Sequence, residues 1–219
     1  MSNSLSMLRI GRSLLEILLL LTAAVSGIVV TACVLLTTND FKGKCLLYSY
    51  VSDVRVGEDP TYIVRWTGLA NCRFITIVQV AAVIFAFINI GIQGYYIIKS
   101  KTHGTSKIPL LFTGLYTVTW TFILVSSCIL SVGFSEYCGS WLKAFEEAGE
   151  PFLDHCRYVQ RIQWHDGSKG DRFYSVLTTA QTAAWISFGV WMLLPLVAWA
   201  GVRFVTNRRH PDQASDVPT

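Results

Sequence analysis

The chain has 219 residues, 52% of them hydrophobic and 15% charged, and a formal net charge of +4. An ordinary soluble domain carries roughly 25% charged residues, so this balance excludes a soluble globular domain and points to a membrane protein. The basic excess suits anionic lipid at the membrane surface, worth about 1 kcal/mol per basic residue, and gives no reason to invoke nucleic acid.

In chain order, four apolar stretches are long enough for a hydrocarbon core that needs about 20 helical residues. The first runs from Ser13 to Leu36. Arg9 and Arg12 before "LLEILLLLTAA" imitate a cleaved signal peptide, but the apolar character continues through "VSGIVVTACVLL", beyond the roughly 7 to 15 residues of a signal core, so this is read as a retained helix. A long loop follows, about Thr37 to Arg73. In it "CLLYSYV" and "TYIVRW", rich in aromatic and β-branched residues, flank the turn-forming "GEDP", which predicts a short β-hairpin. The second span, Phe74 to Ile98, leads into the short link "KSKTHGTSK" at 99–107. The third, Ile108 to Phe134, opens at Pro109. In the second long loop, about Ser135 to Arg172, "SWLKAFEEAG" predicts a helical segment capped by Ser140 and stopped by Gly149, with Trp141, Leu142 and Phe145 on one face. Pro151 is suited to start another segment through Cys156, Val159 and Ile162. The fourth span, Phe173 to Val202, contains Pro195 and precedes a tail at 203–219.

Charge predicts orientation, because retained lysine and arginine mark the cytoplasmic side. The link carries Lys99, Lys101 and Lys107 with no acid; the N-terminal segment has Arg9 and Arg12, and the tail Arg203, Arg208 and Arg209. The first loop offsets five basic residues with four acids, and the second offsets five with seven. Both termini are therefore expected in the cytosol and both long loops outside. Cysteine placement agrees: Cys33 and Cys128 lie in spans, whereas Cys45, Cys72, Cys138 and Cys156 divide two and two between the long loops, as an oxidising compartment favours.

The stretches "DFKGKCLLY", "NCRF" at the mouth of the second span, "SVGFSEYC" at the exit of the third, the later Cys156, and "FYSVLTTAQTAAWIS" entering the fourth resemble the transmembrane protein 179 family. The resemblance spans nearly the whole chain and implies four-pass topology with paired cysteines in the outer loops. It implies no chemistry. Other four-pass patterns fit less well, since the tetraspanin Cys-Cys-Gly, the claudin-type Trp-Gly-Leu-Trp followed by paired cysteines, and the three-cysteine connexin loop are not found. Four loop cysteines allow three pairings. The hairpin returns Trp66 toward Tyr48, and the second loop can fold back across "AGEP", so Cys45–Cys72 and Cys138–Cys156 are favoured. Each closure is worth about 3 kcal/mol in the chain-entropy model, enough to hold an outer cap with little core of its own.

Within the spans, Ala23, Gly27 and Thr31, and likewise Thr179, Ala183 and Ser187, recur every four residues, a spacing that lets helices approach closely in lipid. The intramembrane polar candidates are Glu16, Gln79, Asn89, Gln93 and Gln181. A buried acid suggests function by default, but Glu16 lies four residues from Arg12, near the cytoplasmic end, and is expected to pair with it or reach headgroups. The amides are expected to bridge helices. The four histidines, His103, His155, His165 and His210, form no metal-ligand spacing, and His155 beside Cys156 offers no thiol chemistry if that cysteine is bridged.

These observations define an all-α membrane protein: a four-helix transmembrane bundle with two disulfide-stapled extracellular loops, the first forming a short hairpin. No catalytic residue, cofactor or metal ligand is identified. The expected function is non-enzymatic association with other membrane proteins in the bilayer of the plasma membrane or secretory pathway, as an accessory or scaffold component. The main alternative is a small channel or transporter using the polar residues of the first two spans.

Overall fold

The structure, a computed structural model, describes residues 2–55, 61–98, 107–149, 155–161, 164 and 167–209. Four long helices, α1 (Ser2–Asp40), α2 (Ala70–Ile98), α3 (Lys107–Glu147) and α4 (Phe173–Arg209), form the bundle, and β1 (Cys45–Arg55) and β2 (Thr61–Thr67) intervene between α1 and α2. Within them, Gly11–Asp40, Ala70–Tyr95, Leu111–Glu147 and Phe173–Trp199 are long and apolar enough to cross a membrane. Helix α1 packs against both α2 and α4, α3 packs against α4, and the α2–α3 seam is the lightest.

The distribution of side chains explains this packing. Leu18, Ile77, Phe122 and Leu196 face outward and are more than half exposed, whereas Ala23, Ala24, Ala82, Ala86, Ala180, Ala184 and Ala198 are buried. Where lipid tails are as apolar as leucine, bulky residues gain little by turning inward, and small ones let the helix backbones close up.

The helices outrun the apolar stretches that announce them. Helix α1 continues four residues past Leu36 and ends where Lys42 and Gly43 take φ of 53° and 80°. The Gly43 amide donates to the Thr38 carbonyl at 2.8 Å and the Lys42 amide to Asn39 at 3.0 Å, so the last carbonyls are satisfied by a Schellman motif and not by further helix. Helix α2 starts at Ala70, before Phe74. The largest difference is in α3, whose 41 residues run unbroken to Glu147, about 60 Å of helix against a hydrocarbon core of about 30 Å. The segment expected to begin anew at Ser140 is thus the continuation of α3. Ser140 caps nothing there; its Oγ donates to the Tyr137 carbonyl at 2.8 Å and accepts the Val51 amide at 3.2 Å. Gly149, with φ 82°, does sit at the stop.

The hairpin is antiparallel, pairing Cys45 with Thr67, Tyr50 with Arg65 and Val51 with Val64. A bulge between Cys45 and Tyr50 puts Tyr48 at φ 61°, and side chains replace the lost ladder there. Ser49 Oγ donates to the Cys45 carbonyl at 2.8 Å and accepts the Thr67 amide at 3.1 Å, while Thr67 Oγ1 donates to the Leu47 carbonyl at 2.6 Å. The "GEDP" turn lies outside the described residues. In the second loop, Cys156–Arg161 is a short 3-10 helix; Pro151 and Ile162, at the limits of the expected segment, also lie outside the described residues.

Candidate functional site: a stapled cap above a buried polar cluster

At one end of the bundle the hairpin, the outer half of α3 and the 3-10 helix form a cap closed by two disulfides. Cys45 joins Cys72 and Cys138 joins Cys156, with Cα separations of 5.9 and 5.3 Å. The first bridge ties the start of the hairpin to the first turn of α2, and the second ties α3 to the segment leading into α4.

The cap has a substantial core of its own, contrary to the expectation of a core-poor cap. Trp164 lies edge-on to Phe41 at 4.9 Å between ring centroids and 5.8 Å from Trp141, and Tyr62 lies 5.4 Å from both tryptophans. Phe173 stands edge-on to Phe41 and to Tyr137. Phe41, Tyr137, Trp141 and Phe173 are almost completely buried. Each well-oriented aromatic pair adds about 0.5–1.5 kcal/mol beyond its area burial. Gly170 passes so close to the Trp164 indole that any side chain at 170 would collide with it. The helix ends beneath are joined by Arg172, whose Nε and Nη2 donate to Asp40 Oδ2 and Oδ1 at 3.0 and 3.1 Å, and by the Lys169 amide, which donates to the Asp40 carbonyl at 3.0 Å. An acid at the C-terminus of α1 and a base at the N-terminus of α4 each oppose their own helix dipole, and pairing them offsets both conflicts. The hydrogen bond to Asp40, and then its charge, raise the pKa of Arg172 above the ordinary value.

The second cluster lies within the bundle toward the opposite end. The Tyr116 hydroxyl of α3 donates to Glu16 Oε1 of α1 at 2.9 Å and lies 3.3 Å from Asn89 Oδ1 of α2. Asn89 Nδ2 donates to the Phe85 carbonyl one turn earlier at 2.6 Å. All three side chains are no more than 3% exposed. Glu16 therefore turns inward to Tyr116, where its spacing had pointed to Arg12 or to headgroups. Tyr116 is the member that sequence reading passes over, because it is 100 residues from Glu16 and a tyrosine in an apolar run carries no local sign of a partner.

The other candidates do not join this cluster. Gln79, completely buried, lies against Gly27, where an added Cβ would come within 2.8 Å of Val83 Cγ2 and 3.3 Å of Gln79 Oε1. The first small-residue stripe thus packs on α2 within the chain. Gln93 and Gln181 are half-buried; in the second stripe Ala183 and Ser187 are buried but Thr179 is exposed. Cys33 and Cys128 are free thiols. Cys156 is consumed by its disulfide, and His155 stacks on Tyr158 with ring centroids 6.4 Å apart.

A bundle of four helices able to cross a membrane, bearing a disulfide-closed cap with a two-stranded sheet, defines a four-pass membrane protein with stapled loops. The family model described as "Transmembrane protein 179/179B Claudin domain" matches residues 12–217, and the chain belongs to that family. It is 29% identical over 185 residues to zebrafish (Danio rerio) transmembrane protein 179B, covering 83% of this chain and 80% of the relative. The mouse (Mus musculus) protein of that name is 24% identical over 201 residues, covering 92% and 88%, and the human (Homo sapiens) one 22% over 187 residues, covering 84% and 81%. No solved structure matches. The description of the matching family includes a claudin domain although the claudin-type Trp-Gly-Leu-Trp motif is not in the sequence.

Proposed function

We propose that the chain is a non-enzymatic accessory or scaffold component of a membrane protein assembly, in the plasma membrane or secretory pathway, with both termini cytosolic and the cap outside. The observation that carries this reading is the cap. Two disulfides and an interlocked aromatic core hold a hairpin and an overlong helix as one preorganised body beyond the bundle, and preorganisation lowers the ordering cost of binding another protein. Proximity labelling from both termini, combined with recovery of intact complexes in mild detergent, tests it. A stable co-purifying membrane protein is expected; a chain that consistently runs alone would sink the proposal.

A second reading, a small channel or transporter, is favoured by the Glu16–Tyr116–Asn89 cluster, since an intramembrane acid in a bundle interior commonly marks a pathway. Reconstituted protein showing a reproducible flux that Glu16→Gln abolishes would favour it over association.

A further inference from the structure

We infer that the outer edge of β2 is a docking site for one extended segment of a partner membrane protein, which adds to the hairpin as a third strand and carries an acidic side chain opposite Arg65. This assignment rests on the accessory reading and says where on the cap the partner binds. The edge follows from the hydrogen bonds of the hairpin. The Thr67 amide donates to Ser49 Oγ at 3.1 Å and the Ile63 carbonyl accepts from Ser52 Oγ at 3.2 Å, so residues 63, 65 and 67 turn their backbone polar groups toward β1. Val51, paired in register with Val64, turns its amide away from β2 and donates it to Ser140 Oγ.

Antiparallel strands alternate between residue pairs that exchange backbone bonds and pairs that turn both groups outward. Val64 and Trp66 therefore direct N–H and C=O away from β1, and among the described elements β1 alone lies against the backbone of β2. The opposite edge, that of β1, is already closed by α3 through Ser140. What β2 presents is a donor and an acceptor at every second residue, a spacing that another extended backbone matches by strand addition.

The side chains leave this edge unguarded. Strands that must stay unpaired carry a proline, a lysine, an inward charge or a bulge. Thr61–Thr67 has no proline or lysine, and both register irregularities put their extra residue in β1. The inward side chains of β2, Tyr62, Val64 and Trp66, are apolar and pack on the cap core, while Cys45–Cys72 fixes the base of the hairpin. The strand is thus held extended before a partner arrives, which lowers the ordering cost of binding. Its outward face supplies the selectivity: Ile63 is 57% exposed, and exposed Arg65 is the one charge on the strand. Opposite charges across a strand pair favour each other, so the added segment places an acid against Arg65 and an apolar side chain near Ile63.

Val64→Pro deletes the outward N–H without touching the bonds to β1, a change that edge strands tolerate. Complexes of the full chain recovered in mild detergent are compared with those of Val64→Pro and Arg65→Glu. Recovery of the co-purifying membrane protein should fall about tenfold for Val64→Pro, as for loss of a binding anchor, and should fall also for Arg65→Glu. In the recovered complex the Val64 and Trp66 amides should exchange hydrogen about tenfold more slowly than in the free chain. Thermal unfolding and non-reducing mapping of Cys45–Cys72 check that both variants fold; if Val64→Pro does not, Arg65→Glu and the exchange comparison decide. Undiminished recovery with unchanged exchange at Val64 and Trp66 would overturn the edge site and leave the accessory role standing. A wild-type chain that runs alone would overturn both, and a complex made only of copies of this chain would overturn the separate partner.

Discussion

The ring of Tyr48 occupies the space beside Gly133 in which a side chain would stand: a Cβ at 133 would lie 2.8 Å from its Cδ2 and Cε2, and 2.9 Å from Leu47 Cβ. The bulge that turns Tyr48 to positive φ and the missing side chain on α3 are therefore two halves of one contact, which seats the hairpin on the helix.

Replacing Gly133 with alanine should reveal that contact by its sign. In an open helical position the change gains about 1 kcal/mol of helix propensity; against the Tyr48 ring it costs about 1–3 kcal/mol of overpacking. Net destabilisation is expected in thermal unfolding of purified protein, with Gly133→Leu worse. In the Tyr48→Ala background the alanine should be tolerated, a non-additivity that residues in contact show. A stabilised single variant would mean that the hairpin does not rest there.

Asp40 and Arg172 lend themselves to a double-mutant cycle. Asp40→Asn and Arg172→Gln should each loosen the junction of α1 with α4, and the double variant should cost less than the two singles added together. Because Arg172 is half exposed, the coupling should shrink as salt is raised. Coupling insensitive to salt would assign the junction to the Lys169 backbone bond and the aromatic contacts around Phe41.

Much of the architecture is legible in the sequence because it follows from local quantities. Apolar run length marks the four spans, aromatic and β-branched stretches on either side of "GEDP" mark the hairpin, and the confinement of Cys45, Cys72, Cys138 and Cys156 to two loops marks the staples. What escapes depends on contacts between distant segments. Ser140 looks like a cap because Gly133, Ser135 and Gly139 interrupt the apolar run, yet the helix continues since Trp141 and Phe145 find a hydrophobic wall in the cap. Phe41, Tyr62, Trp141, Trp164 and Phe173 come from separate segments, and aromatic density alone does not say that they meet. Glu16 has an obvious neighbour in sequence, Arg12, and a different partner in space, Tyr116.

Orientation can be checked with small epitope tags. Tags at Met1 and Thr219 should be reached by antibody only after permeabilisation, and a tag near Gly57 should be reached on intact cells, because the basic link and tail are expected to be retained inside. Lys42 and Lys44 run against that pattern, but Asp40 and the acids of the same loop dilute them. An externally accessible C-terminal tag would invert the bundle and place both disulfides in a reducing compartment.

The disulfides supply the test in which topology and stability meet. Non-reducing peptide mapping of protein from intact cells should find Cys45 joined to Cys72 and Cys138 to Cys156, with Cys33 and Cys128 as free thiols. The bridges close 27 and 18 residues, separations at which the chain-entropy model gives about 3 kcal/mol each. Their effects should nevertheless differ in kind. Cys45 and Cys72 anchor the base of the hairpin at the membrane mouth, so Cys45→Ser with Cys72→Ser should speed hydrogen exchange across β1 and β2. Removing Cys138 and Cys156 should act instead on the 3-10 helix, while Trp141 and Trp164 remain packed on Phe41 and Tyr62. Because the aromatic contacts do not themselves depend on the sulfur atoms, the core is expected to persist without either bridge, and loss of one pair to lower thermal stability without abolishing folding. Free thiols at all four loop positions would reject the outside placement of the cap; Cys45 found on Cys138 or Cys156 would leave the placement standing and reject the pairing.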